Sequence, residues 1–167
     1  MRQAPYFSPE NNSRLNVAIL VIILQTLGST ERGKPLLNNE RLRIIFYLVK
    51  NPLVMNNVLW RLGAPPTHLE EQDCYSVASL SINLDPLFDT ANLKDILKHI
   101  ASLGLISVAY RKSDGFLYQL NSQGKALAEQ LSGDYLDKAR EHLKSLSAIN
   151  STSTPALNSV IESILNG

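Results

Sequence analysis

Four cations stand where a helix and a turn could present them to phosphate: Lys94 and Lys98, four residues apart, and Arg111 beside Lys112 in a polar turn. Lysine and arginine neutralise nucleic-acid phosphates and release counterions, so these four are the candidate DNA-binding residues. Asn92, Asp95, His99 and Ser102 complete the polar face around the first pair, and none of them is arginine. Bidentate arginine on guanine is the commonest base-specific contact, so the set suits phosphate better than base edges. A solvated helix face accounts for Lys94 and Lys98 equally well.

His68 and Cys74 lie six residues apart in a stretch that also holds Glu70, Glu71 and Asp73. A thiol near an imidazole can form a nucleophile–base pair. A core cysteine beside a loop histidine explains the same two residues without catalysis, because cysteine packs as a small hydrophobe. Carboxylates at a helix start are accounted for by the helix dipole. His99 and His142 fall in charged helical stretches, where solvation explains both. No glycine-rich phosphate loop, nucleophile elbow, H-E-x-x-H helix or paired-cysteine motif occurs. The expectation is a chain that is not an enzyme, with no catalytic residue, metal site, cofactor or small-molecule substrate.

Composition narrows the class further. The 167 residues carry 16 basic and 15 acidic groups, 44% hydrophobic residues, eight glycines, eight prolines and one cysteine. Collagen-like, disulfide-framework and disordered classes each need a surplus that is absent here. A lone cysteine forms no internal disulfide, which points to a reducing, cytoplasmic compartment. Charge alternates in sign: residues 1–62 hold eight basic and three acidic groups, and residues 63–90 hold five acidic and no basic ones. Such alternation can guide docking against a charged partner.

The positioning elements follow from periodicity and caps. Val17 to Leu24 is an unbroken apolar run of eight residues. A bilayer-spanning helix needs about 20, and the flanks lack a signal-peptide charge pattern. Ser13 caps a helix through this run, which Gly28 ends. It is apolar all round and must be buried on several sides, either threading its own fold or covering a partner. Asn38 or Asn39 caps a second helix that stops before Pro52, and Pro52 opens a third that ends at Gly63. Thr67 with Glu70 and Glu71 starts another helix, carried through Cys74, Val77 and Leu80, and Ser81 to Pro86 is either a helix end or a short strand.

Asp89 or Thr90 caps a helix in which Leu93, Ile96, Leu97, Ile100 and Leu103 recur at spacings of three and four, and Gly104 ends it. Leu105 to Tyr110 reads as a strand, Arg111 to Gly115 as a turn, and Phe116 to Leu120 as the return strand. Asn121 or Ser122 then caps a helix carrying Ala126, Leu127 and Leu131. Asp134 to Leu146 is amphipathic, Ser147 to Pro155 is a polar linker, and a short terminal helix with Leu157, Val160, Ile161, Ile164 and Leu165 must dock on its own domain or on a neighbour. The fold class is mainly α with a small β-hairpin. The chain divides into an N-terminal helical region (1–66), a central region (67–133) and a C-terminal helical extension (134–167).

The order helix, glycine, strand, charged turn, strand, helix resembles winged helix-turn-helix domains. The marks are Leu93 through Gly104, Leu105 and Ile106, then Gly115 to Tyr118, then Leu120 through Gly124, Lys125 and Leu127. Winged helices serve both DNA binding and protein assembly, so this likeness concerns fold. Pro5 to Glu10, Arg14-Leu15, Arg41 to Arg43, Tyr47 to Pro52 and Asn56-Asn57 resemble a second group: the small middle component of bacterial three-component ABC ATPase systems, of which Lamassu-type anti-phage defence is one. That resemblance implies a non-enzymatic adaptor between an SMC-like ABC ATPase and a nuclease-type effector, in an anti-phage or anti-plasmid complex. DNA would be met through the complex. It also agrees with apolar helical surface in excess of what one small core needs. The alternative is a winged-helix DNA-binding transcription regulator; a membrane-surface protein is disfavoured, because the apolar helix has no basic opposite face.

Overall fold

The computed structural model describes residues 13–74, 87 and 89–166. Helix α1 (Ser13–Leu27) runs through the middle of the fold. Ile19 to Ile23 are at most 1% exposed, because α1 packs against elements from every later part of the chain. Its apolar surface is therefore consumed internally, which settles the choice between threading the fold and covering a partner. No described helix is long and apolar enough to cross a membrane.

After α1 the chain forms strand β1 (Leu37–Asn38), helix α2 (Asn39–Lys50) and helix α3 (Pro52–Arg61). Asn38 caps α2 by accepting from the Arg41 amide, and Pro52 occupies the first turn of α3. Helix α4 is a single turn, Glu71–Cys74. The proposed continuation through Val77 and Leu80, and the ambiguous segment 81–86, lie outside the described residues, as does the motif Pro5 to Glu10.

Helix α5 (Thr90–Ser102) buries Leu93, Ile96, Leu97 and Ile100, with Asp89 as its cap. Strands β2 (Ile106–Arg111) and β3 (Gly115–Leu120) form the hairpin, paired one to one from Ile106–Leu120 to Arg111–Gly115. Strand β1 joins the far side of β3, giving an antiparallel sheet in the order β1-β3-β2. Helices α6 (Ser122–Gln130) and α7 (Asp134–Ser145) follow and pack against α1. The fold is thus mainly α with one small antiparallel sheet.

The C-terminal reading needs correction. Residues expected as a polar linker fold into a 3-10 helix (Leu146–Ser151), and α8 (Thr154–Leu165) begins three residues later. The segment is held rather than loose, because Arg41 reaches three of its oxygens: Thr152 O at 2.8 Å, Ile149 O at 2.7 Å and Thr154 Oγ1 at 3.1 Å. Helix α8 docks on its own chain, against α3, with Asn158 donating to Glu40 at 2.7 Å and Arg61 donating to Ser163 at 3.1 Å.

His142 is a second correction. It lies on a charged stretch, yet it is only 6% exposed, since α7 turns that side onto the core. Burial pushes its pKa below the ordinary 6.5; Asp73 and Glu141 oppose this and Lys138 reinforces it. A pKa lower in the folded than in the unfolded chain means the unfolded chain takes up the proton first, so stability is full above 6.5 and is lost as pH falls through the folded value. Thermal melting should therefore fall on acidification below about pH 6.5, and His142→Gln should flatten that limb. An unchanged slope in the variant would place the acid sensitivity elsewhere.

Candidate interaction surface

The hairpin is built so that one apolar face begins in the core and ends in solvent. Ile106, Val108 and Tyr110 of β2 stand opposite Leu120, Tyr118 and Phe116 of β3, and residues opposite each other share a face. At the root Leu120 is buried and Ile106 is packed against the core. Towards the tip the same face is bare: Val108 is 52% exposed, Tyr110 66% and Phe116 54%. The two rings lean on each other, with centroids 5.3 Å apart at 60°. Leu103, 53% exposed, lies just before the hairpin in sequence.

Two asparagines hold the hairpin at its ends. Asn121 caps α6 by accepting from the Gly124 amide at 2.9 Å, and its own amide donates to Gly104 O at 2.7 Å. The start and end of the hairpin are thereby tied together. Gly104 itself sits at φ +70°, a conformation that side chains disfavour, and this lets the chain leave α5 and enter β2 at once. Asn38 does the equivalent work at the tip, capping α2 while its amide donates to Asp114 O at 3.2 Å.

Helix α6 approaches the root closely. A Cβ at Gly124 would meet Leu105 O at 2.2 Å and Leu120 Cδ2 at 2.9 Å.

Of the four cations, one is engaged and three are exposed. Lys94 and Lys98 are exposed on α5, away from its buried stripe. Arg111 is half-buried at the end of β2, with Nη1 3.8 Å from Asp114 and Nη2 3.5 Å from Pro35 O. Lys112 is exposed in the turn. An open cleft of about 530 Å³ lies between the start of α1 and the side of α5, lined among others by Asn16, Asp89, Asp95 and His99.

The thiol–imidazole pair has a structural setting. His68 is exposed and Cys74 half-buried in α4. The neighbouring carboxylates bind this stretch to α7: Lys138 lies 2.8 Å from Glu70 and 3.8 Å from Asp73. The Glu70 bond, chiefly, holds the Lys138 ammonium above its ordinary pKa. Among the described residues, no group of three His, Cys, Asp or Glu could hold a metal ion.

Sequence reasoning missed the exposed aromatics. Tyr110 and Phe116 read there only as strand residues, and Trp60, 74% exposed on α3, went unremarked. Alternation along β2 was the available signal, but it does not say how far out the body covers the face. Among the described residues, bare apolar side chains stand on the helices as well, Trp60 on α3 and Tyr135 on α7, but Val108, Tyr110 and Phe116 of the hairpin are the adjacent ones.

Residues 27–159 match the family described as ABC-three component (ABC-3C) system Middle Component 4. No curated protein and no solved structure matches the chain.

Proposed function

Because the chain belongs to the Middle Component 4 family of ABC-three component systems, we propose that it is a non-enzymatic adaptor joining an SMC-like ABC ATPase to a nuclease-type effector in a defence complex. A middle component implies companion components, and the bare apolar face of the hairpin is the single observation that carries the reading. Soluble chains rarely leave adjacent aromatic and β-branched side chains uncovered unless something docks there. Aromatic residues also concentrate at the centres of interfaces.

Several titratable residues have structural work: Glu70 and Asp73 engage Lys138, and His142 fills the core. The sheet order β1-β3-β2, with a helix and glycine before the hairpin, agrees with a winged-helix architecture, which serves assembly as well as DNA binding. In this reading Lys94, Lys98 and Lys112 lie beside DNA brought by the complex, in the cytoplasm.

Co-expression with the two companion components tests it. The three chains should co-purify, and omission of this one should uncouple effector from ATPase. A chain that ignores both companions, dimerises, and retards its own promoter with strong salt dependence would be a regulator instead.

A further inference from the structure

The sheet has one covered side and one open side. Strand β1 lies along β3, whereas no described strand lies along the outer edge of β2. Residues 107–110 are exposed on both faces. An edge strand presents a row of unpaired amide and carbonyl groups, and proteins ordinarily blunt such edges with proline, lysine, a bulge or an inward charge. Strand β2 has no proline and no lysine, its pairing with β3 runs one to one without a bulge, and its one charge, Arg111, stands at the end. Bare main chain beside a bare apolar face is the combination that strand addition uses: main-chain bonds give affinity, and alternate side chains give selectivity.

Charge decides between occupants. The tip end of β2 carries Arg111 and Lys112, and the root end, from Leu103 to Ile106, is uncharged. Two copies paired antiparallel about Ala109 would set Tyr110 against Val108, yet they would bring Arg111 to Ser107 and Lys112 towards Ile106. No carboxylate of β2 exists to meet either cation, and Asp114 already faces Arg111. Parallel pairing would stack arginine on arginine.

We propose that the outer edge of β2 takes up an extended strand from a companion component, a segment with apolar residues at alternate positions and carboxylates at the end nearest the hairpin turn. This rests on the adaptor reading and adds to it the docking edge and the chemistry of the docked segment.

The test uses the full chain co-expressed with its two companions. Val108→Glu with Tyr110→Glu should weaken the complex on the order of thirtyfold or more, as loss of a central aromatic contact does, while the free chain still melts cooperatively, lowered only by the lost cross-strand pairs. Val108→Thr with Tyr110→Thr keeps strand propensity and should act in the same direction, which separates lost contact from a misfolded hairpin. In the wild-type complex, β2 amides should gain protection from hydrogen exchange.

If the companions bind wild type and both variants alike, or β2 amides exchange equally free and bound, strand addition is overturned and the adaptor reading stands. If wild type binds neither companion, the adaptor reading fails and takes this proposal with it. A free chain that dimerises through Tyr110, or duplex binding lost in the same variants, would assign the edge to a second copy or to nucleic acid and overturn the proposal.

Discussion

Arg41→Ala costs about 3 kcal/mol of folding stability and loosens the chain from the 3-10 helix to the start of α8. The guanidinium spans two main-chain carbonyls, Ile149 and Thr152, and the Thr154 hydroxyl. Hydrogen bonds from a charged donor contribute roughly 1.5–3 kcal/mol, and removing the donor leaves partly buried acceptors unpaired. Arg41→Lys should recover less than half of the loss, because one ammonium on a flexible stem cannot reproduce a planar fork reaching carbonyls three residues apart. Urea unfolding gives the stability change, and limited proteolysis at 147–154 reports the loosening. A variant within about 0.5 kcal/mol of wild type, the range of an ordinary surface substitution, would show that the terminal helix holds itself.

The second large effect has a sign that secondary-structure propensity gets wrong. Gly124 lies inside helix α6, where alanine is ordinarily better by about 1 kcal/mol. Gly124→Ala should instead destabilise by about 2 kcal/mol, and Gly124→Val by more. The added Cβ falls 2.2 Å from a main-chain oxygen, Leu105 O, which cannot rotate away as a side-chain end could. Overpacking of this kind costs roughly 1–3 kcal/mol in a packed core. Relief would require α6 to back off the root of the hairpin, stretching the Asn121 clasp to Gly104. Denaturant melts of the two variants decide it: a neutral or stabilised Gly124→Ala means that the helix and hairpin part without cost. The same variants should weaken companion binding indirectly, since the apolar face is aimed by that root.

Much of this architecture was legible because local signals agreed with one another. Asn38, Asp89 and Asn121 each stood as one of two adjacent cap candidates before apolar periodicity, Pro52 opened α3, and Gly104 and Gly115 bracketed β2. Each acts on neighbours within a few residues, so adjacency in sequence is adjacency in space. The Ser147 to Pro155 stretch failed the same treatment. Its polar composition reads as a linker, but Arg41 lies over a hundred residues earlier in the chain and supplies the missing partner. His142 failed for a related reason: its helix is charged in sequence, yet the helix direction sets which side meets α1.

The sequence by itself determined most of the helices, the two candidates for each cap, the hairpin and the family, because these depend on side-chain chemistry and spacing along the chain. It determined neither strand β1 nor the 3-10 helix, whose partners lie far away in sequence. Only the tertiary structure decided what is covered. A continuous apolar face from Ile106 to Tyr110 reads the same whether sealed or bare, and burial depends on what distant segments pack over it. The closing of helices from both halves around α1 sealed the root and left the tip and outer edge of β2 open, which is why adjacent bare apolar side chains stand on the hairpin.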